Sequence, residues 1–175
     1  MRAPECAARG GNEGGQEDVP IREVPTGRRP ELIPILEASF QGIYRWHALR
    51  TLRSVQRLRA ISRDGADAGL TMFEMLGPGL GYVYYVAVSP GRRASGVGGA
   101  LLDDALSELR GSGAREVLAC IRPENTPSIR LFLSRGFVAT SFRETARARG
   151  TGGALRLWRR MVVAPGERVY RAALA

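Results

Sequence analysis

The run from Gly81 to Leu102, GYVYYVAVSPGRRASGVGGALL, carries the residue types and spacing best suited to chemistry. A β-rich apolar stretch enters a proline turn at Pro90. Arg93 and the closely spaced glycines Gly96, Gly98 and Gly99 follow, and an amphipathic helix begins. Small residues at a helix start let backbone N–H groups approach an anion, so this layout is a phosphate cradle. A dinucleotide fingerprint fits it poorly. In Gly96-Val97-Gly98-Gly99-Ala100-Leu101 a leucine stands where the third glycine belongs, and the acidic residue Glu116 opens the next strand instead of closing it.

Composition narrows the chemistry further. The chain has 175 residues, a net charge of +9, and no lysine, so its basic charge is all arginine. A Walker loop and a Schiff-base enzyme both need an amine side chain, so both are excluded. The charge points to anionic ligands. The two cysteines, Cys6 and Cys120, form no disulfide or zinc framework, and Cys120 reads as a buried small hydrophobe. The one histidine, His47, reads as structural or as a substrate-side contact. No segment is apolar for the roughly 18 to 20 residues of a membrane span, and the N-terminus lacks a secretory h-region. A cytoplasmic protein is the expectation.

Elements that position the cradle can be read along the chain. Residues 1–18 are polar and Gly-rich, a disordered tail ahead of one domain at 19–175. Ile21–Val24 is a short strand, Pro30 opens a helix through Phe40, and a second, basic helix runs about Gly42 to Arg53. Strands follow at Val55–Ser62, Leu70–Leu76 and Tyr82–Val88. The helix after the cradle spans about Val97–Arg110, and Glu116–Ile121 is the next strand. Thr126 caps a helix through Arg135, and Phe137–Ser141 is strand-like. Arg143–Gly153 reads as a basic loop and Leu155–Val163 as a closing strand. The order β-α-α-β-β-β-α-β-α-β-β predicts an α+β domain, a mixed central β-sheet flanked by helices.

A second motif decides what the cradle holds. Residues 121–137, IRPENTPSIRLFLSRGF, together with Arg93-Ala94-Ser95-Gly96-Val97-Gly98, resemble the GNAT superfamily of acyl-CoA-dependent N-acetyltransferases. Val88-Ser89-Pro90, Arg93, Gly96 and Gly98 match its first motif. Asn125, Ser128, Leu131, Phe132, Gly136 and Phe137 match its second. The resemblance covers about residues 19 to 163. It implies acetyl-CoA as acyl donor, with amides from Ala94 to Gly99 (Ala94, Ser95, Gly96, Val97, Gly98, Gly99) and the Arg93 charge on the pyrophosphate. It also implies that Tyr82–Val88 splays from Glu116–Ile121 to admit pantetheine. Backbone of Val86, Ala87 and Val88 would line that opening, and an amide near Val86 would polarise the thioester carbonyl. Asn125, Ser128 and Phe132 would flank the cofactor, although Asn125 also suits a turn cap.

The chain departs from the family pattern at two positions. The strand glutamate that often removes the amine proton is Tyr84 here, and the tyrosine that often protonates the leaving thiolate is Phe132. Two replacements are available. Tyr84, expected on one face with Tyr82 and Val86, can reach the amine or a water, and Glu74 on the preceding strand is the nearest carboxylate. Tyr85 should point the other way. A thiolate leaves without help at its reference pKa of about 8.5. The alternative is a non-catalytic acyl-CoA sensor or interaction domain. A third reading takes the arginines of residues 45–63 and 143–160 as a phosphate-binding surface, but no helix-turn-helix, RNP or zinc pattern accompanies them. The acceptor is expected to be a small-molecule amine or a protein N-terminus. The positive walls favour an anionic acceptor over a polyamine. Family members often form homodimers, and no residue here specifies such an interface.

Overall fold

A computed structural model describes residues 21–161, 163 and 166–174. The expected disordered tail at 1–18 and the domain start at Val19 lie outside the described residues. Seven strands form one sheet in the order β1-β2-β3-β4-β5-β7-β6. They are β1 (Arg22–Glu23), β2 (Arg57–Arg63), β3 (Ala66–Gly77), β4 (Leu80–Val88), β5 (Glu116–Ile121), β6 (Val138–Thr140) and β7 (Arg168–Ala173). The β4–β5 pair is parallel, and the other neighbours are antiparallel. Helices cover both faces, so the expected mixed α+β sheet is the observed one.

On one face α3 (Val97–Gly111) buries Leu102, Ala105 and Leu109 against Phe73, Val83 and Val117, and α4 (Thr126–Leu133) adds Phe132. On the other face α1 (Ile33–Ser39) and α2 (Gly42–Ser54) bury Leu36, Ala48 and Leu52 against Leu58, Leu70 and Met72. Each such leucine contributes about 1.5–3 kcal/mol when taken from water. A 3₁₀ turn at Thr26–Leu32 precedes α1, so the first helix begins later than Pro30. Pro34 explains the α-helical start, because it sits in the first turn, where its missing N–H costs nothing.

The C-terminal third corrects two expectations. Arg143–Gly153 is not a loop: α5 (Phe142–Arg149) occupies it, opened by a capping box in which Ser141 and Glu144 satisfy each other's backbone. Leu155–Val163 is not a strand: α6 (Thr151–Met161) buries Ala154, Leu157 and Met161 and leaves Leu155 exposed. That is helical spacing of three and four residues, and it covers Leu76, Tyr82 and Leu118. The closing strand is instead β7, inserted between β5 and β6.

Gly69 on β3 ties the sheet to the cradle. A Cβ there would lie 2.8 Å from the Ala87 carbonyl oxygen and 3.0 Å from Leu101 and Val97. Gly69→Ala is therefore expected to cost about 2 kcal/mol, a Tm drop of about 6 °C in a thermal melt.

Candidate active site

β4 and β5 pair from Leu80↔Glu116 to Val83↔Ala119 and no further. β4 nevertheless runs on to Val88, while Cys120 and Ile121 of β5 pair with β7 alone. The β4 edge from Tyr84 onward is therefore open towards β5. Ser89 N–H donates to the Ala68 carbonyl at 2.9 Å, which marks that pair as hydrogen-bonded. Alternation along the ladder then commits the backbone of Ala87 and Tyr85 to β3, and turns the amides and carbonyls of Val86 and Val88 to the open edge. Ala87, expected among the lining residues, thus faces β3 with its backbone, and its side chain is in the core.

Past Val88 the chain makes the turn Pro90–Arg92 and then a loop with two left-handed residues, Ala94 (φ 59°) and Gly96 (φ 82°). Gly96 caps α3 without any side-chain bond. The Ala100 N–H bonds the Gly96 carbonyl at 3.0 Å, so the amides of Val97, Gly98 and Gly99 precede the helix ladder. Exposed loop residues lead into them, and Arg93 stands at the rim, its guanidinium 3.4 Å from the Ala38 carbonyl. Such an αL nest before a bare helix end fits a diphosphate group. Val97 is buried, so only its amide is available. A Cβ on Gly98 would meet Val88 at 3.5 Å and Leu131 at 3.6 Å, which is ordinary contact. A Cβ on Gly99 would lie 2.6 Å from a nitrogen of the Arg135 guanidinium, which bonds Asp103 of α3 and, as the end of a flexible side chain, can shift aside.

Asn125, not Thr126, caps α4, accepting from Ser128 N–H at 3.2 Å. Its side chain and the Ser128 amide are used by that cap. Phe132 is 3% exposed and packs edge-on against Phe137 at 4.9 Å. Its ring fills the core under α4, so the expected cofactor contact is corrected to a packing role.

Glu74 and Tyr84 meet: the Tyr84 hydroxyl donates to Glu74 Oε1 at 2.8 Å. A bulge opposite Met72 and Phe73 makes Tyr84 the extra residue of β4. Consequently Tyr84 and Tyr85 both lie on the face of α1 and α2, while Val86 packs towards α3. The expected alternation, with Tyr84 beside Val86 and Tyr85 opposite, is broken there. Burial first, and the bond to Glu74 second, push the Tyr84 hydroxyl above its ordinary pKa, so it remains a donor. Arg160 of α6 donates to the Leu76 carbonyl at 2.6 Å and brings its other nitrogen to 4.0 Å from Glu74.

Next to this pair, His47 Nδ1 lies 2.7 Å from the Tyr85 hydroxyl. Burial, then the charge of Arg50, lowers the His47 pKa, so the ring is neutral at pH 7. His47, Arg50, Thr51, Glu74, Tyr84 and Arg160 surround a cavity of about 130 Å³. Sequence reasoning missed Arg50, Thr51 and Arg160 as partners of one site. The signal for Arg160 was the Ala154, Leu157, Trp158 and Met161 spacing of a helix. Burial first, and the charge of Glu167 just before β7 second, raise the pKa of Tyr44 and Tyr85.

Cys120 lines the end of β5, and burial pushes its thiol up to about 12. It is protonated at neutral pH. In a Cys6→Ser background, iodoacetamide at pH 8 should modify Cys120 on the order of 10³-fold more slowly than a free thiol, with the rate still rising at pH 10. Alkylation at a free-thiol rate would contradict this placement.

Two arginines of the expected phosphate-binding surface, on β2, are paired with carboxylates of α3. Arg57 bonds Glu108 at 3.0 Å and Arg59 bonds Asp104 at 2.7 Å. The carboxylates of α3 thus neutralise part of that stretch. Among the described residues no helix is long and apolar enough to cross a membrane, and no His/Cys/Asp/Glu group could hold a metal.

The splayed parallel pair, the glycine-capped helix and the flanking sheet define an acyl-CoA-dependent transferase fold. The model of the Acetyltransferase (GNAT) family matches residues 29–137, and the chain belongs to that family. No curated protein matches the sequence. A GNAT-family protein from Desulfovibrio desulfuricans has 19% identity and a TM-score of 0.68, over 89% of this chain and 99% of that one. A PaiA N-acetyltransferase from Thermoplasma acidophilum in complex with coenzyme A has 11% identity and a TM-score of 0.65, over 89% and 98%. The ribosomal-protein-S18-alanine N-acetyltransferase of Escherichia coli has 20% identity and a TM-score of 0.61, over 89% and 92%. These likenesses show the fold.

Proposed function

We propose that the chain is an N-acetyltransferase that moves an acetyl group from acetyl-CoA to a primary amine by direct attack. One observation carries this reading: the open β4 edge leads from the bare helix end of α3 to the Glu74–Tyr84 pair. Acetyl-CoA supplies an activated acetyl thioester. The amides of Ala94 to Gly99 hold its pyrophosphate, with Arg93 adding charge at the rim. Val86 and Val88 hold the pantetheine arm through backbone bonds, and the Val86 amide stabilises charge developing on the thioester oxygen. Asn125 and Ser128 shape the wall at α4.

Glu74 takes the proton of the attacking amine, because an ammonium has no lone pair. Tyr84 holds the Glu74 carboxylate in place, and the Arg160 guanidinium stands 4.0 Å from it. The acceptor is an amine-bearing small molecule or a protein N-terminus, and the reaction belongs in the cytoplasm, where acetyl-CoA is made and used.

Acetyl-CoA binding by calorimetry, followed in the same sample by CoA release against pooled amines and N-terminal peptides, tests this. Binding with acceptor-dependent release is expected, with both lost in Arg93→Glu plus Gly98→Trp. Tight binding without release from any acceptor would favour an acyl-CoA sensor. No binding would overturn the assignment of the cradle.

A further inference from the structure

We infer, on the basis of the acetyl-transfer reading above, that the acceptor is a small amino-acid-like zwitterion, whose carboxylate is held by Arg50 and Arg160 while its amine faces Glu74. Both arginines and Glu74 line the same cavity. At about 130 Å³ the cavity suits a small molecule. Among its lining residues the charge is unbalanced, with the guanidiniums of Arg50 and Arg160 against the carboxylate of Glu74; Glu167, whose charge reaches Tyr85, is not part of the lining. Glu74 is already engaged by Tyr84 and stands near Arg160. A simple alkylamine leaves the excess positive charge uncompensated, and a polyamine adds to it. A carboxylate on the amine's own carbon balances it.

His47 supplies a third donor. The Tyr85 hydroxyl, kept protonated by burial, finds its acceptor in His47 Nδ1 at 2.7 Å. With the Tyr85 hydroxyl as the donor in this pair, the ring proton is on Nε2. Thr51 donates its hydroxyl to the His47 carbonyl at 2.9 Å and holds the same helical turn. The cavity therefore presents donors on Arg50, Arg160 and His47 and one acceptor group at Glu74. The positive surroundings also disfavour the ammonium form of the bound amine, which helps a carboxylate already hydrogen-bonded by Tyr84 to receive its proton. A protein N-terminus lacks this match, because its first carboxyl is tied up as an amide.

His47 is the chain's only histidine, so its ring signals report the cavity alone. The test titrates the ¹⁵N-labelled full-length protein with matched probes: L-methionine against 3-(methylthio)propylamine, and L-alanine against ethylamine. Amino acids should shift the His47 ring signals saturably, and the decarboxylated partners should need at least about 10-fold higher concentration. Arg50→Gln, a change at an exposed side chain, should erase that preference, as should Arg160→Gln. Turnover with acetyl-CoA should rank the same pairs in the same order, with alanyl-alanine amide falling among the decarboxylated probes. Equal responses within each pair, or no His47 response to either amino acid, would overturn the inference. The His47 response is read without acetyl-CoA, so a failure of this acceptor class is separable from a failure to bind acetyl-CoA, which would instead overturn the transferase reading.

Discussion

Gly98→Trp is expected to weaken acetyl-CoA binding by at least about 100-fold, while Gly98→Ala stays within about threefold of the parent. The contrast follows from what surrounds Gly98. A Cβ there touches Val88 at 3.5 Å, Leu131 at 3.6 Å and Val86 at 3.9 Å, all ordinary contacts that an alanine methyl tolerates. An indole cannot stop at that distance. It must grow across the space between Val86, Val88 and the start of α3, where the diphosphate and the pantetheine arm would run. Helical propensity separates the two variants little, so a thermal melt should find both folded. Calorimetry with acetyl-CoA and with CoA reads the effect directly. Parent-like affinity in Gly98→Trp would mean that the cofactor does not pass over this glycine, and the assignment of the open β4 edge would fall with it.

The second large effect is on turnover. Glu74→Gln should lower kcat by about 10²- to 10³-fold with the Kd for acetyl-CoA unchanged, in the range that a positioned base contributes. The side chain keeps its shape and an oxygen for the Tyr84 hydroxyl, so the loss reports the carboxylate itself. Tyr84→Phe should cost about 10-fold, because the hydroxyl acts through Glu74. For the same reason the double variant should be no worse than Glu74→Gln alone. Additive losses would show that Tyr84 acts on the substrate independently. A loss in Tyr84→Phe exceeding that in Glu74→Gln would make the phenol the proton-transfer group and reverse the two roles.

Much of the site was legible because its parts are consecutive in the chain. The strand, proline turn, glycines and helix of residues 81–102 hold an anion-binding geometry within one supersecondary unit, and Gly96 is left-handed as a tight helix entry requires. The strand Glu116–Ile121 falls at the residues its apolar pattern marks. Even the approach of Glu74 to Tyr84 was within reach, since the two lie on adjacent strands joined by the turn at Pro78 and Gly79. The Ser141 and Glu144 capping box was present in the sequence too, but the glycines at 150, 152 and 153 argued for a loop. Tertiary burial of Ala154, Leu157 and Met161 outweighed them.

By itself the sequence determined the family, the glycine-rich entry to α3, and the order of the elements as far as β6. Its local periodicities and glycine positions need only neighbouring residues to take effect. Tertiary structure alone decided that β7 inserts between β5 and β6, that α6 delivers Arg160 to Glu74, and that Arg59 of β2 meets Asp104 of α3. It also decided the bulge that turns Tyr84 and Tyr85 to one side. Each of these joins residues far apart in the chain or depends on the register of a partner strand. Their energies come from burial and charge pairing that exist only once the sheet has closed, and no local pattern of residue types encodes them.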